Sequence, residues 1–101
     1  MEIKITENND RLVAMLSGEL DNIASIAAKK ALAPLLEQND HDVVVDCADL
    51  TYISSSGLRL FINIYNHQHS IGRRSIIAHV KDNVKDVFEI GGFLMLFELE
   101  D

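Results

Sequence analysis

Val43-Val44-Val45-Asp46-Cys47-Ala48-Asp49-Leu50-Thr51-Tyr52-Ile53-Ser54-Ser55-Ser56-Gly57-Leu58-Arg59 is the stretch on which the fold turns. It opens on an unbroken β-branched run, Val43 to Val45, the pattern of a strand buried on both faces. It closes on Leu58, after which Phe61, Ile62 and Tyr65 recur at three- and four-residue spacing to about His69. That spacing predicts an amphipathic helix, and Leu60 and Ile64 widen its apolar face. Three hydroxyls and Gly57 therefore fall at a strand-to-helix junction. There the free N–H groups of the first helical turn and the positive end of the helix dipole favour an anion.

Upstream, Ile3 and Ile5 alternate with polar residues, and Leu12 to Leu16 form a second apolar run. Glu7-Asn8-Asn9-Asp10 between them reads as the turn of a β-hairpin, which Ser17-Gly18 should end. Asp21 is placed to cap a first helix whose stripe is Ala24, Ala28, Ala31, Leu32 and Leu35. Pro34 should kink or split that helix, and Asn39 to Asp42 reads as a loop.

Downstream, Gly72 precedes a strand from Ser75 to Val80. Asp82 should cap a third helix carrying Val84, Val87 and Phe88, with Gly91-Gly92 stopping it in a left-handed turn. Met95 to Leu99 reads as the last strand. The order is β-β-α-β-α-β-α-β. Strands joined through helices must run parallel with right-handed crossovers, and the opening hairpin adds an antiparallel strand. The fold class is α/β, a mixed sheet, read as a single domain over residues 1–101.

The chain has 101 residues, 48% of them hydrophobic, and a formal net charge of −7. Lys29-Lys30 and Arg73-Arg74 are the only adjacent basic pairs, so neither nucleic acid nor an acidic membrane surface is an expected partner. One cysteine, Cys47, excludes an internal disulfide. No apolar run reaches ~18 residues and no signal pattern opens the chain. Membrane insertion is not expected, and a soluble cytoplasmic protein is the default.

Taken by themselves, the serines are a helix cap and its first turn. A serine nucleophile needs an adjacent base, and Ser-Ser-Ser-Gly-Leu is not the Gly-x-Ser-x-Gly elbow. His67 and His69 diverge on a helix, while His41 and His79 lie on other segments, so no shared metal site is expected. Asp21 and Asp46 sit at element boundaries and would be the acid–base candidates of a small enzyme using Ser56. No phosphate loop, metal motif or cofactor motif accompanies them.

Gly18-Glu19-Leu20-Asp21, then Val45-Asp46 with Asp49-Leu50-Thr51-Tyr52-Ile53, then Ser55-Ser56-Gly57-Leu58, then Phe88-Glu89-Ile90-Gly91-Gly92-Phe93 carry a resemblance. In this order and spacing the chain resembles the STAS domain family of bacterial anti-sigma factor antagonists, over roughly residues 10 to 99. The resemblance implies a mixed sheet with helices mainly on one face, and no enzymatic activity. It implies partner switching. The unphosphorylated protein binds an anti-sigma factor that is also a serine kinase; phosphorylation of the second motif serine, Ser56, releases it; a PP2C-type phosphatase reverses the reaction. By the same match Asp21 and Asp46 would lie beside Ser56, and Ser54, Ser55, Gly57, Leu58 and Arg59 would meet the partner. Two positions depart from the family pattern. Ser54 stands where Asp is usual, which feeds an alternative reading as a constitutive STAS interaction module without phosphorylation, in a transport or stress-signalling assembly. A closing helix is lacking, which implies an apolar patch able to support weak homodimerisation.

Overall fold

The computed structural model describes residues 1–101. Two strands, β1 (Glu2–Asn8) and β2 (Arg11–Leu20), form an antiparallel hairpin around a tight turn at Asn9-Asp10. Helix α1 (Asn22–Ala31) follows, then a 3₁₀ turn (Ala33–Leu36), β3 (Asp42–Ile53), α2 (Ser55–Ser70), β4 (Ser75–Ala78) and α3 (Asp82–Ile90). A second 3₁₀ turn (Leu94–Leu96) leads into β5 (Glu98–Glu100). The five strands lie side by side in sequence order, and every pairing after the hairpin is parallel. This is the mixed sheet and the element order that the spacing predicted.

A strand order that never reverses has two consequences. Successive right-handed crossovers in one direction put every helix on the same face. Val43, Val45, Cys47, Leu50 and Ile53 on that face join Ala28, Leu32, Phe61, Ile64, Val84 and Phe88 in one core cluster. The second consequence is that the sheet has no topological switch point, the place where open α/β sheets usually form a ligand crevice.

The other face carries no helix, yet Val44, Ile76 and Ala78 on it are buried. Ion pairs cover them. Arg11 on β2 donates two hydrogen bonds to Glu100 on β5, at 3.3 and 3.0 Å. Two strands lie between these residues, so both side chains must lie flat across the sheet, their methylenes over the apolar residues beneath. Arg74 holds Glu98 in the same two-pronged way at 2.8 and 2.7 Å, which keeps the Glu98 carboxyl below its usual range.

Several boundaries differ from the sequence reading. Strand β2 runs past Ser17-Gly18 to Leu20, because two register shifts against β3 absorb the glycine without breaking the ladder. Strand β3 continues eight residues beyond Val45, with Leu50 and Ile53 turned into the core. Cys47 therefore lies inside the strand. Pro34 splits the first helix: α1 stops at Ala31, Pro34 opens the 3₁₀ turn, and Ala31 is exposed while Ser25 is buried. Lys81, not Asp82, is the N-cap of α3, with no side-chain hydrogen bond. Strand β4 ends at Ala78, and only Glu98–Glu100 of the predicted last strand pairs, the residues before it turning in 3₁₀ geometry. The stop at Gly91-Gly92 is as read. Phe93 N–H donates to Phe88 O at 2.8 Å and Gly92 N–H to Glu89 O at 3.0 Å, with Gly92 at φ +78°, a Schellman motif.

Gln68 has no distinguishing sequence signal, and the structure makes it a buried fastener. Its amide donates to His41 O (2.8 Å) and Arg74 O (3.0 Å), and its Oε1 accepts from Gln38 at 2.7 Å. Every polar atom is satisfied, which a buried amide requires. Cys47 is fully buried, and burial, with the charge of Asp46 second, pushes its thiol up to about 12 from 9.0. Three pH units mean about a thousandfold less thiolate at mildly alkaline pH, and thiolate is the nucleophile. Iodoacetamide is expected to leave Cys47 unmodified in the native protein and to alkylate it in urea. Labelling at similar rates in both would contradict the buried placement.

Candidate functional site

The site is built where β3 hands over to α2. Ser54 N–H donates to Leu20 O at 2.9 Å, pinning the start of α2 to the end of β2. Ser54 has extended backbone, and its Oγ accepts Gly57 N–H at 3.1 Å, a standard N-cap. Its carbonyl accepts Leu58 N–H at 2.8 Å. The N–H groups of Ser55 and Ser56 precede the first intrahelical bond and have no backbone acceptor. They are the free donors expected at a helix start.

Burial divides the expected contact residues. Ser55 and Arg59 are exposed and Ser56 is half-buried. Ser54, Gly57 and Leu58 are buried, so they form the seat of the site and not its outer surface. Gly57 is required from inside. A Cβ there would sit 2.8 Å from Leu20 Cγ and 3.0 Å from Ile53 Cγ1, in a layer where Leu20 is wholly buried. The close approach at Gly57 is made by the side chains of Leu20 and Ile53, at the ends of β2 and β3. Leu58 likewise belongs to the core cluster.

Asp21 caps α1, its Oδ1 accepting Ala24 N–H at 2.7 Å, one residue beyond the Leu20 carbonyl that holds Ser54. It stands at the same end of the sheet as the serines. Asp46 does not. It pairs in register with Met15 and Ala78, on the sheet face of Val44, and its Oδ1 accepts Ala48 N–H at 3.0 Å. The strand it faces, β2, runs five residues from Met15 to Leu20, or roughly 16 Å at about 3.3 Å per residue, before the serine end is reached. The position expected for Asp46 beside Ser56 is thus corrected. The long extension of β3 carries the junction away from it.

Beside Ser56 and Arg59 the structure brings residues that were not singled out as site residues. A groove of about 220 Å³ runs between α1 and α2, lined by Ser56, Arg59 and Asn63 from one helix and Asn22, Ser25, Ile26 and Lys29 from the other. On each helix these are neighbours at three- and four-residue spacing, a face that periodicity displays. That the two faces meet is decided by packing on the common sheet. Ile23 and Ile26 on the same helix are 81% and 77% exposed, which is unusual for large apolar side chains standing close together. No group of three His, Cys, Asp or Glu side chains converges anywhere in the chain.

A family model described as STAS domain matches residues 2–101. A candidate anti-sigma factor antagonist of Bordetella bronchiseptica, BtrV, is 29% identical over 97 residues, which cover 96% of this chain and 84% of that protein. An anti-sigma-B factor antagonist of Staphylococcus epidermidis is 25% identical over 101 residues, 100% of this chain and 94% of that protein. Among solved structures, the unphosphorylated anti-sigma factor antagonist SpoIIAA superposes with a TM-score of 0.80 at 19% identity, covering 97% of this chain and 87% of that one. The phosphorylated form of SpoIIAA, from Bacillus, gives 0.75 at 18% identity over 97% of this chain and 90% of that one.

Proposed function

The chain belongs to the STAS domain family, and from that premise we propose that it is an anti-sigma factor antagonist of a partner-switching pathway, acting in the cytoplasm. Unphosphorylated, it binds an anti-sigma factor with serine kinase activity and so frees a sigma factor. The kinase transfers phosphate to Ser56, and a PP2C-type phosphatase takes it off. In the transfer, Ser56 Oγ bonds to the γ-phosphorus of ATP and the bond to the β-phosphate bridging oxygen breaks. ADP leaves, and the hydroxyl proton passes to a base of the kinase.

The observation that carries this reading is the placement of Ser56. Its hydroxyl is partly open to solvent in the first turn of α2, where free N–H groups and the dipole accommodate a dianion. The exposed Ile26 lines the same groove, with Lys29 and Arg59 on its walls, and the exposed Ile23 stands one turn earlier on α1, beside the capping Asp21. An apolar centre with a charged rim is the anatomy of a protein-binding patch. The lack of a switch-point crevice also favours a docking surface over a substrate pocket.

Ser54 is the one observation behind the second reading, a constitutive interaction module. It supplies the same cap as the aspartate usual there, but without the charge. Incubation with ATP and candidate serine kinases, with the phosphate mapped by mass, separates the two. Ser56→Ala is expected to abolish labelling and Ser55→Ala only to slow it. Ser56→Ala labelled at the wild-type rate would refute the assignment, and no labelling by the kinase that binds the protein would favour the constitutive module.

A further inference from the structure

The groove between α1 and α2 combines features that a cap or a helix start does not need. It takes a cation from each wall: Lys29 in the last turn of α1 and Arg59 one turn into α2. Neither has a carboxylate within salt-bridge distance, although the chain carries 16 acidic residues against nine lysines and arginines. Arg59 differs in this from Arg11, Arg73 and Arg74, each held by a carboxylate, while Lys29 shares it with the other lysines. Asn22 and Asn63 add amide donors to the same groove, and of its two serines Ser25 is buried and donates to Asp21 O while Ser56 is half-buried. Asp21, at the N-terminus of α1, is the nearby carboxylate.

We propose that this groove is an intramolecular phosphate clamp, in which Lys29 and Arg59 close on the phosphoryl group of Ser56 and tie α1 to α2 in the phosphorylated state. The inference rests on Ser56 as phosphoacceptor and deepens it. Arg59 lies three residues from Ser56, a spacing that brings side chains on one helical face to ~5–6 Å at Cβ. Its planar guanidinium can bond two phosphate oxygens at once. Lys29 contributes a second charge from the opposite wall. The helix N-terminus supports an anion in any such fold; the two cations make the support a property of this chain. The clamp also has a regulatory consequence. In the unmodified protein Lys29 and Arg59 are free to meet a carboxylate of a partner, and in the phosphorylated protein they are already occupied.

The test does not depend on any kinase. Phosphoserine is installed at position 56 by semisynthesis, and its second ionisation is followed by phosphorus NMR in the native protein and in urea. The native value is expected to lie lower than in urea by roughly half a unit to one unit, the scale set by nearby charges and by hydrogen bonds to the charged form. Lys29→Gln and Arg59→Gln should each restore part of that shift, the pair together most of it, and Lys29→Arg should preserve it. Both variants alter exposed side chains, and circular dichroism checks that each remains folded. A native value equal to that in urea overturns the clamp. So does a lowered value that neither substitution changes, because the helix N-terminus alone would then account for it. Failure of a kinase to label Ser56 would count against the pathway and leave this measurement decisive for the clamp.

Discussion

Phosphorylation of Ser56 is expected to weaken partner binding by about 30-fold to several-thousand-fold while leaving the fold intact. The magnitude follows from the cost of a mismatched buried charge at an interface, typically ~2–5 kcal/mol. A phosphate adds about −1.5 to −2 charge at neutral pH. In the free protein this charge is supported by the N-terminus of α2 and by the cations of the groove. A docked partner would strip the remaining water from it beside the Asp21 carboxylate. Asp46 lies too far along β3 to contribute, and Ser54 adds no charge where the family pattern has an aspartate, so the lower part of the range is expected. Titrating the partner against unmodified protein, phosphoprotein and Ser56→Asp, with circular dichroism of each, reads the effect directly. Ser56→Asp should weaken binding less than phosphate, since it carries a smaller charge and fewer acceptor oxygens. Equal affinity of the free and phosphorylated forms would sink the switch. Lost binding together with a collapsed spectrum would mean that the phosphate damages the fold instead.

Phe61→Ala is expected to cost about 3–5 kcal/mol of stability, the usual range for deleting a fully buried aromatic side chain. Phe61 is wholly buried on α2, with its ring edge-on to Phe88 of α3 at 5.0 Å and to Phe97 before β5 at 6.4 Å. Phe88 and Phe97 also meet each other at 5.7 Å. One ring thus joins α2, α3 and the last strand, and removing it leaves a void bounded by three elements that cannot all collapse inward. Domains of this size are stable by about 5–15 kcal/mol, so the loss is a large fraction of the total. Urea unfolding should show a lower midpoint at an unchanged slope. Phe61→Leu, which keeps most of the volume, should cost much less. A loss below about 1 kcal/mol for the alanine variant would show that the cluster is not the anchor of α2.

Much of this was legible in the chain itself, and the reasons are local. The β-branched run Val43 to Val45, the three- and four-residue spacing after Leu58, the cap at Asp21 and the glycine pair at Gly91-Gly92 are short-range signals. Each is set by periodicity or backbone chemistry within a few residues. The order of these elements entails parallel strands, and the serine motif locates the junction. The end of a strand is a different matter. Asp46 to Thr51 contains polar residues that interrupt the apolar run, and only the partner strand β2, with its two register shifts, keeps that segment in the ladder as far as Ile53.

The same division holds at the site. Sequence determined that Ser54, Ser55 and Ser56 sit at the start of a helix, since hydroxyl capping and helix periodicity need no distant partner. Tertiary structure alone decided which of their neighbours faces solvent. Gly57 is sealed from inside by Leu20 and Ile53, residues thirty-seven and four positions away. Packing of α1 and α2 on one sheet face puts Lys29 and Ser56 on the walls of one groove, and the extension of β3 carries Asp46 away. Such juxtapositions depend on how elements pack across long stretches of chain, and no spacing within a single element encodes them.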